Sequence, residues 1–488
     1  MKTKQLFAVL MLVFAISVIS QAQNLPQLKV SDNGHYLQTA DGKPFFYQGD
    51  TAWELFHRLN REEADIYLKN RADKGYNVIQ AVALSEVDGV NVDNAYGYKP
   101  LVNRNPAQPA TTEGENNDYW DNVDYIVAKT NSLGMYVGLL PTWGRWWRDG
   151  DKIFNPQNAE VFGRWIAERY HKYNVIWILG GDRSPDDQYH KDIIRAMARG
   201  IRSVDKVNLM TFHPRGRTMS ATWFNDREWL DFNMFQSGHR RYGQRNGDAD
   251  YPIEENTEED NWRYVEKSLA MKPMKPVIDD EPIYENIPQG LHDPNEVRWN
   301  QHDVRRYAYW SVFAGAFGHT YGNNEIMQFI RPGVNGAYGA DGRKKAWWDA
   351  LEDPGFNQMI HLKNLMLSFP FFERIPDQSV IAGQNGERYD RAIATRGKDY
   401  LLVYNYSARP MEIDLTKVSG SKKNVWWYHP ADGKLEYVGE FDNRITLFQY
   451  PCGYMSGNDR VLIAVDATKD YLNKEWTSLP DVQQKWNE

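Results

Sequence analysis

Eight short apolar segments recur between residues 45 and 319, and helical patterns separate most of them. Several read as unbroken apolar stretches, which is typical of parallel strands buried on both faces. Strand–helix alternation repeated eight times predicts the α/β class and a closed (β/α)8 TIM barrel. An open, doubly wound sheet is the alternative, but no glycine-rich phosphate-binding motif follows any segment. The predicted strands are Phe45–Gly49, Asn77–Ala83, Met135–Leu140, Val175–Leu179, Asn208–Phe212, Phe232–Phe235, Pro276–Ile278 and Ala316–His319.

The helical patterns between these strands have identifiable ends. Asn60 and Glu63 predict a capping box for a helix that stops at Gly75. Apolar residues repeat with helical spacing over Asp118–Leu133, and this pattern also ends at a glycine. Further helices are predicted at Ala159–Tyr170, Asp187–Val204, Asp260–Met271 and Glu296–Ala314.

Polar residues follow the predicted strands at one consistent place, just past the C-terminal end of each. In TIM barrels this end of the sheet carries the catalytic groups. The sequence therefore predicts an active site built from the segments Asp50–Trp53, Glu86, Pro141–Arg145, Gly180–Arg183, His213–Arg215, Gln236–His239, Asp279–Pro282 and Thr320–Asn324.

Long insertions follow strands two, six and eight, at Ser85–Asn117, Arg240–Thr257 and Asn324–Arg343. Irregular loops of this length in a compact domain are usually lids or walls of a functional site. Disordered surface flaps are the alternative interpretation.

The pattern changes after Pro370, where short alternating strands replace the strand–helix repeat. Turn-forming residues separate these strands, which predicts an all-β domain, most simply a sandwich. We therefore expect a barrel at residues 23–372 and a sandwich at residues 373–488 that supports the barrel and contributes little to chemistry. The predicted sandwich strands are Ala392–Thr395, Tyr400–Tyr406, Met411–Asp414, Asn424–His429, Leu435–Tyr437 and Val461–Ala464.

The N-terminus predicts export from the cytoplasm. Lys2 and Lys4 precede an apolar run, Leu6–Ile19, and the small residues Ser20 and Ala22 supply a cleavage pattern. Residues 1–22 are therefore interpreted as a signal peptide, with a buried N-terminal helix as the alternative. No later stretch is apolar enough to predict a membrane span. The single cysteine, Cys452, allows no internal disulfide, and a large exported protein without disulfides fits a bacterial periplasm.

The composition narrows the possible partners. The chain has 57 basic and 65 acidic residues, which argues against a nucleic-acid-binding face. It also contains 18 Trp, 29 Tyr and 20 Phe, an aromatic content that favours carbohydrate, because sugar rings stack on indoles. No cofactor is predicted. The histidines lack the His-Glu-x-x-His spacing of zinc proteases, although His213, His239 and His319 are an alternative set of metal ligands. The sequence does not predict an oligomeric state.

Two carboxylates at different strand ends are the predicted catalytic pair. Hydrolysis of a glycosidic bond needs an acid for the leaving oxygen and a second carboxylate that acts as nucleophile or base. Asp182 after strand four and Glu281 after strand seven fit these roles. The alternatives are a helix N-cap for Asp182 and an ion pair with a barrel arginine for Glu281. Strand alternation places Asp279 on the same side as Glu281, so Asp279 is a rival, with Asp280 and Glu285 nearby.

Three motifs resemble the bacterial apiosidase family of glycoside hydrolases, whose C-terminal domain is named for collagen binding. They are Gly49–Trp53, Trp177–Arg183 and Asp280–Glu285, and the resemblance extends over almost the whole mature chain. It implies that Asp182 and Glu281 are catalytic, and that the enzyme removes apiofuranose from galacturonic acid in the pectin rhamnogalacturonan II. The aspartate differs from the Asn-Glu pair of many retaining barrel hydrolases, which leaves retention or inversion open.

The remaining polar and aromatic residues of the barrel mouth are predicted to bind the substrate, a pectic oligosaccharide. They are Asp50, Trp53, Trp143, Arg183, His213, Gln236, His239 and Tyr321. A guanidinium would suit a uronate carboxylate, and the candidates are Arg145, Arg148, Arg183 and Arg215. Hydrolysis of another plant glycan, or non-catalytic binding of carbohydrate or protein, remains the alternative function.

Overall fold

The structure is a computed structural model that describes residues 25–87, 89–112, 114, 118–243, 258–291, 293–333, 345–451 and 453–472. The predicted signal peptide, Cys452 and parts of the three long insertions lie outside the described residues. No helix in the described ranges combines the length and the apolarity needed to cross a bilayer.

A short antiparallel sheet that the sequence analysis did not predict precedes the barrel. Its strands are β1 (Leu28–Val30), β2 (Leu37–Thr39) and β3 (Pro44–Phe45). Strands this short are missed because they do not show the alternation on which strand prediction depends.

Eight parallel strands form the barrel, which confirms the predicted fold. They are β4 (Tyr47–Thr51), β5 (Val78–Val82), β6 (Tyr136–Leu140), β7 (Val175–Gly180), β8 (Met210–His213), β10 (Asn233–Gln236), β11 (Val277–Asp279) and β12 (Gly318–Tyr321), with β9 (Thr218–Met219) antiparallel to β10. Neighbours pair from β4 to β8, β10 pairs with β11, and β12 pairs with β4. Sparser backbone bonds complete the ring. The backbone amide of Asp231 donates to the Met210 carbonyl at 2.8 Å. The backbone amide of Phe317 donates to the Val277 carbonyl at 3.1 Å.

Several observed strands end one or two residues later than predicted. Asp50, His213, Gln236, Asp279 and Tyr321 were all expected just beyond a strand, but each belongs to one. The apolar pattern stops where a strand reaches the polar mouth of the barrel, whereas its backbone hydrogen bonds continue. Sequence hydrophobicity therefore places the strand ends too early.

The helices surround the barrel. They are α1 (Leu55–Arg58), α2 (Arg61–Asp73), α3 (Tyr119–Ser132), α4 (Gly144–Trp147), α5 (Pro156–Tyr170), α6 (Gln188–Val204), α7 (Ala221–Phe224), α8 (Asp260–Ala270), α9 (Gln301–Phe313), α10 (Asn324–Met327) and α11 (Pro354–Leu367). The predicted capping box of α2 is present, with Asn60 accepting from the Glu63 amide at 2.9 Å. Helix α9 begins at Gln301 rather than Glu296, because the Asn300 side chain caps it. Helix α11 was not predicted.

The C-terminal region is a two-sheet β-sandwich, as predicted. Its strands are β13 (Ile375–Pro376), β14 (Ile381–Ala382), β15 (Ala392–Arg396), β16 (Tyr400–Asn405), β17 (Met411–Asp414), β18 (Lys422–Tyr428), β19 (Leu435–Asp442), β20 (Ile445–Phe448) and β21 (Arg460–Asp466). One sheet has the order β13-β15-β16-β21-β18-β19 and the other β14-β17-β20. Leu401 and Leu462 of the larger sheet share a buried core with Ile413 and Phe448 of the smaller one.

The larger sheet packs its second face on the barrel. The rings of Tyr309 on α9 and Tyr404 on β16 stack with centroids 4.8 Å apart. Beside them Arg305 of α9 pairs with Asp459 at 2.6 Å, and both side chains are 2% exposed. A buried charge pair is costly to separate, because each charge would be left without its partner. The two domains are therefore joined by polar as well as apolar contacts.

A second buried charge pair lies at the same joint. Arg306 of α9 is paired with Glu258, and both are buried. Glu258 also accepts a hydrogen bond from the Tyr389 hydroxyl of the sandwich at 2.8 Å. The Tyr242 amide, in the insertion after β10, donates to the same Glu258 oxygen at 2.9 Å. One carboxylate thus connects the sandwich to the loop that follows strand six of the barrel.

Candidate active site

A pocket of about 430 Å³ lies at the C-terminal ends of the barrel strands. Its lining includes seven of the ten residues predicted to form the site: Trp53, Trp143, Asp182, Arg183, Gln236, His239 and Glu281. The described parts of all three long insertions reach it, through Glu86, Arg240 and Met327. These insertions therefore form walls of the pocket, as the sequence predicts.

The end of strand β7 presents Asp182 to the pocket through an unusual turn. Gly180 and Gly181 have φ angles of +95° and +96°, and Asp182 itself has φ +50°. A Cβ atom on Gly180 would lie 2.5 Å from the His213 carbonyl oxygen, and one on Gly181 would lie 2.7 Å from the Trp143 ring. Only glycine fits at these two positions. A non-glycine residue with positive φ is uncommon and often marks a functional site.

The surroundings of Asp182 raise the pKa of its carboxyl group. Its Oδ2 atom lies 2.5 Å from the Arg183 guanidinium, and the Gly216 amide donates to Oδ1 at 3.4 Å. Burial raises the pKa of this carboxyl above its ordinary value, and the charge of Glu281 raises it further against the opposing effect of Arg183. The predicted alternative, a helix N-cap, is wrong, because Asp187 caps α6.

Two histidines hold the Glu281 carboxylate on the other side of the pocket. His213 Nε2 lies 3.1 Å from Oε2, and His239 Nε2 lies 3.1 Å from Oε1. Burial alone would raise the pKa of Glu281, but the hydrogen bonds and charges of the two imidazoles outweigh it and lower the pKa to about 2. Glu281 is therefore an anion, and within the described residues it pairs with histidines rather than with a barrel arginine.

His213 lies beneath Glu281 and does not line the pocket, which corrects its prediction as a sugar contact. It is fully buried, with Nδ1 2.9 Å from the Pro214 carbonyl and Nε2 3.7 Å from Asp280. Burial would lower the pKa of His213, but the nearby charges of Asp280 and Glu281 raise it to about 9. The charge of His213, with Nε2 3.1 Å from Glu281 Oε2, favours the ionised form of that carboxylate.

Asp279, the rival carboxylate, does not reach the pocket. Its oxygens accept from the Ser237 hydroxyl at 2.5 Å and the Asn261 amide at 2.8 Å, and the side chain is fully buried. Strand alternation suggested that Asp279 and Glu281 share a side. That inference is wrong because β11 ends at Asp279, and the backbone beyond it no longer alternates.

Aromatic rings form the apolar part of the site. Trp53 and Trp143 lie with ring centroids 5.1 Å apart, and each is 5.3 Å from the His213 ring. Tyr284 packs on His239 at 4.6 Å and accepts a hydrogen bond from the Trp53 indole at 3.2 Å. The pocket thus combines carboxyl groups with aromatic rings that form its apolar lining.

Comparison with known protein families agrees with this site. The family model described as "Apiosidase-like, catalytic domain" matches residues 31–373, more than half of the chain. The chain belongs to the apiosidase-like family. A second model, described as "Putative collagen-binding domain of a collagenase", matches residues 375–465. The family resemblance stated from three sequence motifs is therefore confirmed.

Solved structures similar to this apiosidase-like protein are glycoside hydrolases. A glycoside hydrolase family 5 protein from Bacteroides vulgatus is 63% identical, with a TM-score of 0.89 over 94% of this chain and 98% of that chain. A structure described as a glycoside hydrolase is 59% identical, with a TM-score of 0.87 over 92% and 98% of the two chains. A search of curated proteins gives no match. The protein is a glycoside hydrolase.

Two further residues predicted to touch the sugar have structural roles in the apiosidase-like barrel. Asp50 is fully buried and accepts from Arg71 Nε and the Tyr67 hydroxyl, both at 2.6 Å. Tyr321 is buried and donates to Glu285 at 2.5 Å. Neither lines the pocket, so both predictions are corrected. A position at a strand end does not by itself place a side chain in the pocket, because side chains there can also point between strand and helix.

Arginines surround the pocket of the apiosidase-like domain. Of the four predicted candidates for a uronate, Arg148, Arg183 and Arg215 line it, and Arg145 does not. Arg183 is occupied by Asp149 at 2.5 Å and by Asp182, and it lies 3.5 Å from Glu86. The described lining contains five arginines and four carboxyl residues: Arg148, Arg183, Arg215, Arg217, Arg240, Glu86, Asp149, Asp182 and Glu281.

Sequence reasoning missed part of this lining. Arg217 lies two residues beyond the predicted Arg215, so the Arg-Gly-Arg segment was a signal that could have indicated it. Tyr284, Ile287 and Leu291 come from the segment after β11, which was not recognised as a wall. Among the described residues, no group of three or more His, Cys, Asp or Glu side chains is arranged to hold a metal ion.

Proposed function

We propose that this glycoside hydrolase releases apiofuranose from galacturonic acid in rhamnogalacturonan II, with Asp182 as the acid and Glu281 as the anionic partner. One observation carries the catalytic assignment. The two carboxyl groups face the same pocket, yet the surroundings raise the pKa of Asp182 and lower that of Glu281. Opposite protonation of two neighbouring carboxyl groups is what acid catalysis of glycoside hydrolysis requires. Membership in the apiosidase-like family supports the choice of sugar.

In this mechanism the protonated Asp182 donates its proton to the glycosidic oxygen as the bond to the furanose breaks. The ionised Glu281 stabilises the oxocarbenium-like transition state. It either attacks the anomeric carbon or activates a water molecule that does so. His213 and His239 keep Glu281 ionised, and the hydrogen bond with His239 orients the Oε1 atom. After bond cleavage Asp182 is negatively charged, and the adjacent Arg183 guanidinium balances that charge.

The size of the pocket supports action at a chain end. A volume of about 430 Å³ lies near the lower end of the range of about 300–1,000 Å³ for small-molecule pockets. Walls from the loops after β5, β10 and β12 surround it. Such a site suits a terminal sugar with its neighbour better than the middle of a long glycan.

Incubation with a panel of pectic oligosaccharides, followed by identification of the released sugar, tests the proposed substrate. We expect free apiose from rhamnogalacturonan II fragments with the wild-type protein and none with Glu281→Gln. Release of a different sugar would redirect the assignment to another plant glycan. Binding of the fragments without release of any sugar would contradict the catalytic assignment.

We also propose that residues 1–22 direct export to the periplasm. The two lysines, the apolar run and the small residues before Gln23 support this proposal. Intact-mass measurement of the protein from its native host should give a chain that begins near Gln23. A mass that includes Met1 would contradict the proposal.

A further inference from the structure

Arg217 occupies a fixed position in the pocket wall. It lies between β8 and β9 with φ +64°. Its backbone amide donates to the Gln236 carbonyl at 2.6 Å, and its carbonyl accepts from the Tyr264 hydroxyl at 2.6 Å. Both backbone polar groups of Arg217 are therefore hydrogen-bonded to neighbouring barrel elements. The side chain starts from a rigid base, which favours a binding role that depends on position.

The Arg217 guanidinium differs from those of Arg148 and Arg183 because one of its nitrogens has no partner among the described residues. The residue is only 7% exposed, and Nη1 is buried without a hydrogen-bond partner among the described residues. Arg148, by contrast, pairs with Asp186 and lies 3.8 Å from Asp149. Arg183 forms ion pairs with Asp149 and Asp182. Arg215 and Arg240 also have interactions with their surroundings.

Glu258 does not supply the missing partner. Glu258 and Arg217 both influence the Tyr307 hydroxyl electrostatically, so they lie in the same part of the barrel. Glu258, however, is bonded by Arg306, Tyr389 and the Tyr242 amide. A buried cation without a partner is unfavourable, whereas a planar guanidinium offers parallel donors that match a carboxylate. The pocket therefore contains a binding position for an anion.

We propose that Arg217 binds the carboxylate of the sugar acid whose bond to the released sugar is cleaved. This inference rests on the proposed function, which places a uronic acid beside the furanose. Arg217 would then determine specificity, although it is not among the arginines predicted from the sequence to bind a uronate. Gln236 adds a neutral hydrogen-bond donor in the same wall of the pocket. Its Nε2 atom lies beside Gly216, 3.6 Å from the position that a Cβ atom would take on that glycine. Neutral glycans would leave Arg217 unpaired and should bind more weakly.

Kinetics on a matched pair of substrates test this assignment. The pair consists of a pectic fragment with its native carboxylate and the same fragment after reduction of the carboxylate to an alcohol. For the acidic fragment, we expect Arg217→Gln to raise KM by roughly 10–100-fold, the usual effect of losing hydrogen bonds to a charged group. We expect kcat to change much less. For the reduced fragment, wild type and Arg217→Gln should have similar KM values.

Two further variants separate binding from structure. Arg217→Lys keeps the charge but loses the planar fork, so it should recover only part of the preference for the acidic fragment. Arg148→Gln removes a pocket arginine that is already paired, and the ratio of KM values for the two fragments should stay as in wild type. Equal losses on both fragments in Arg217→Gln would overturn the proposal, because they would indicate a purely structural role.

Direct binding distinguishes failure of this inference from failure of the proposed function. If wild type releases no sugar from pectic fragments, calorimetry with free galacturonate and free galactose still tests Arg217. Wild type should prefer galacturonate, and Arg217→Gln should lose that preference. An unchanged preference in the variant would overturn the inference, whatever the enzyme hydrolyses.

Discussion

The ends of strands four and seven each bring a carboxyl group to the same pocket, but they give it opposite environments. Asp182 sits on a turn with positive φ angles, beside one guanidinium and one backbone amide. Glu281 follows β11 and lies between two imidazoles, each 3.1 Å away. Burial acts on both groups in the same direction, so the histidines make the difference. Protonation in this site is therefore decided by neighbouring side chains and not by residue type.

Replacing Glu281 should have the largest effect. Glu281→Gln keeps the shape and can still contact the histidines, but it cannot carry the negative charge. We expect turnover to fall by at least the roughly 10²–10⁴-fold that general acid catalysis alone contributes, or about 3–5 kcal/mol of barrier. Steady-state kinetics checks this, with thermal unfolding as a control for folding. Near-normal turnover would mean that Glu281 is not the anionic group.

Asp182→Asn should cost somewhat less, and its loss should depend on the substrate. An aryl glycoside with a good leaving group needs little protonation, so it should recover Asp182→Asn more than Glu281→Gln. Activity of the wild type should also decline as pH rises through the raised pKa of Asp182, because the acid loses its proton. The variant should lack this alkaline limb. A pH profile of kcat/KM for both proteins measures the difference, and an unchanged alkaline limb would assign the acid to another group.

His213→Gln should reduce the difference between the electrostatic environments of Asp182 and Glu281. Glutamine is neutral, so the variant removes the charge of His213 and leaves a polar side chain near Glu281. His213 opposes the rise in pKa of Asp182 and lowers the pKa of Glu281. Both limbs of the pH profile should therefore move to higher pH, by about one unit if the charge is worth about 1.4 kcal/mol. A lower rate with both limbs in place would indicate only a structural role.

Asp279→Asn should have the smallest effect on catalysis, on the order of threefold or less, because Asp279 is sealed behind the site. Its effect should appear in stability instead. Burial raises the pKa of Asp279 to about 7, above its value of about 3.9 in an unfolded chain. Folding therefore favours the protonated form, and wild-type stability should fall as pH rises from about 4 to 7. Unfolding titrations should show a weaker fall in the variant. Loss of activity in Asp279→Asn would instead make it the catalytic carboxylate.

Much of the barrel could be predicted from the sequence, because buried parallel strands and capped helices leave strong local patterns. Asn60, which caps α2, is one example. The roles of individual polar residues were less predictable. Asp50 and Asp182 both follow apolar runs, but one pairs with Arg71 in the interior and the other faces the pocket. That difference depends on contacts between residues far apart in the chain, and a single sequence does not display them.

The same limit applies to Arg217 and His213. The sequence predicts Arg215 as a ligand of a uronate but not Arg217, two residues later. It does not show which guanidinium lacks a partner among the described residues. The sequence predicts that His213 contacts the sugar, whereas the fold places it beneath Glu281. A pattern identifies which segments form the mouth of the barrel. The packing of the mouth then decides which side chains meet the substrate.

The joint around Glu258 has a consequence for how such enzymes can be rearranged by evolution or by design. Arg306 comes from the barrel, Tyr389 comes from the sandwich, and both bond Glu258, which also bonds the loop after β10. A gene fusion that gave this barrel a different C-terminal partner would remove one of these bonds and uncover the barrel face next to it. The barrel and its sandwich are therefore best treated as a single unit of inheritance, and a hybrid enzyme would have to exchange both halves together.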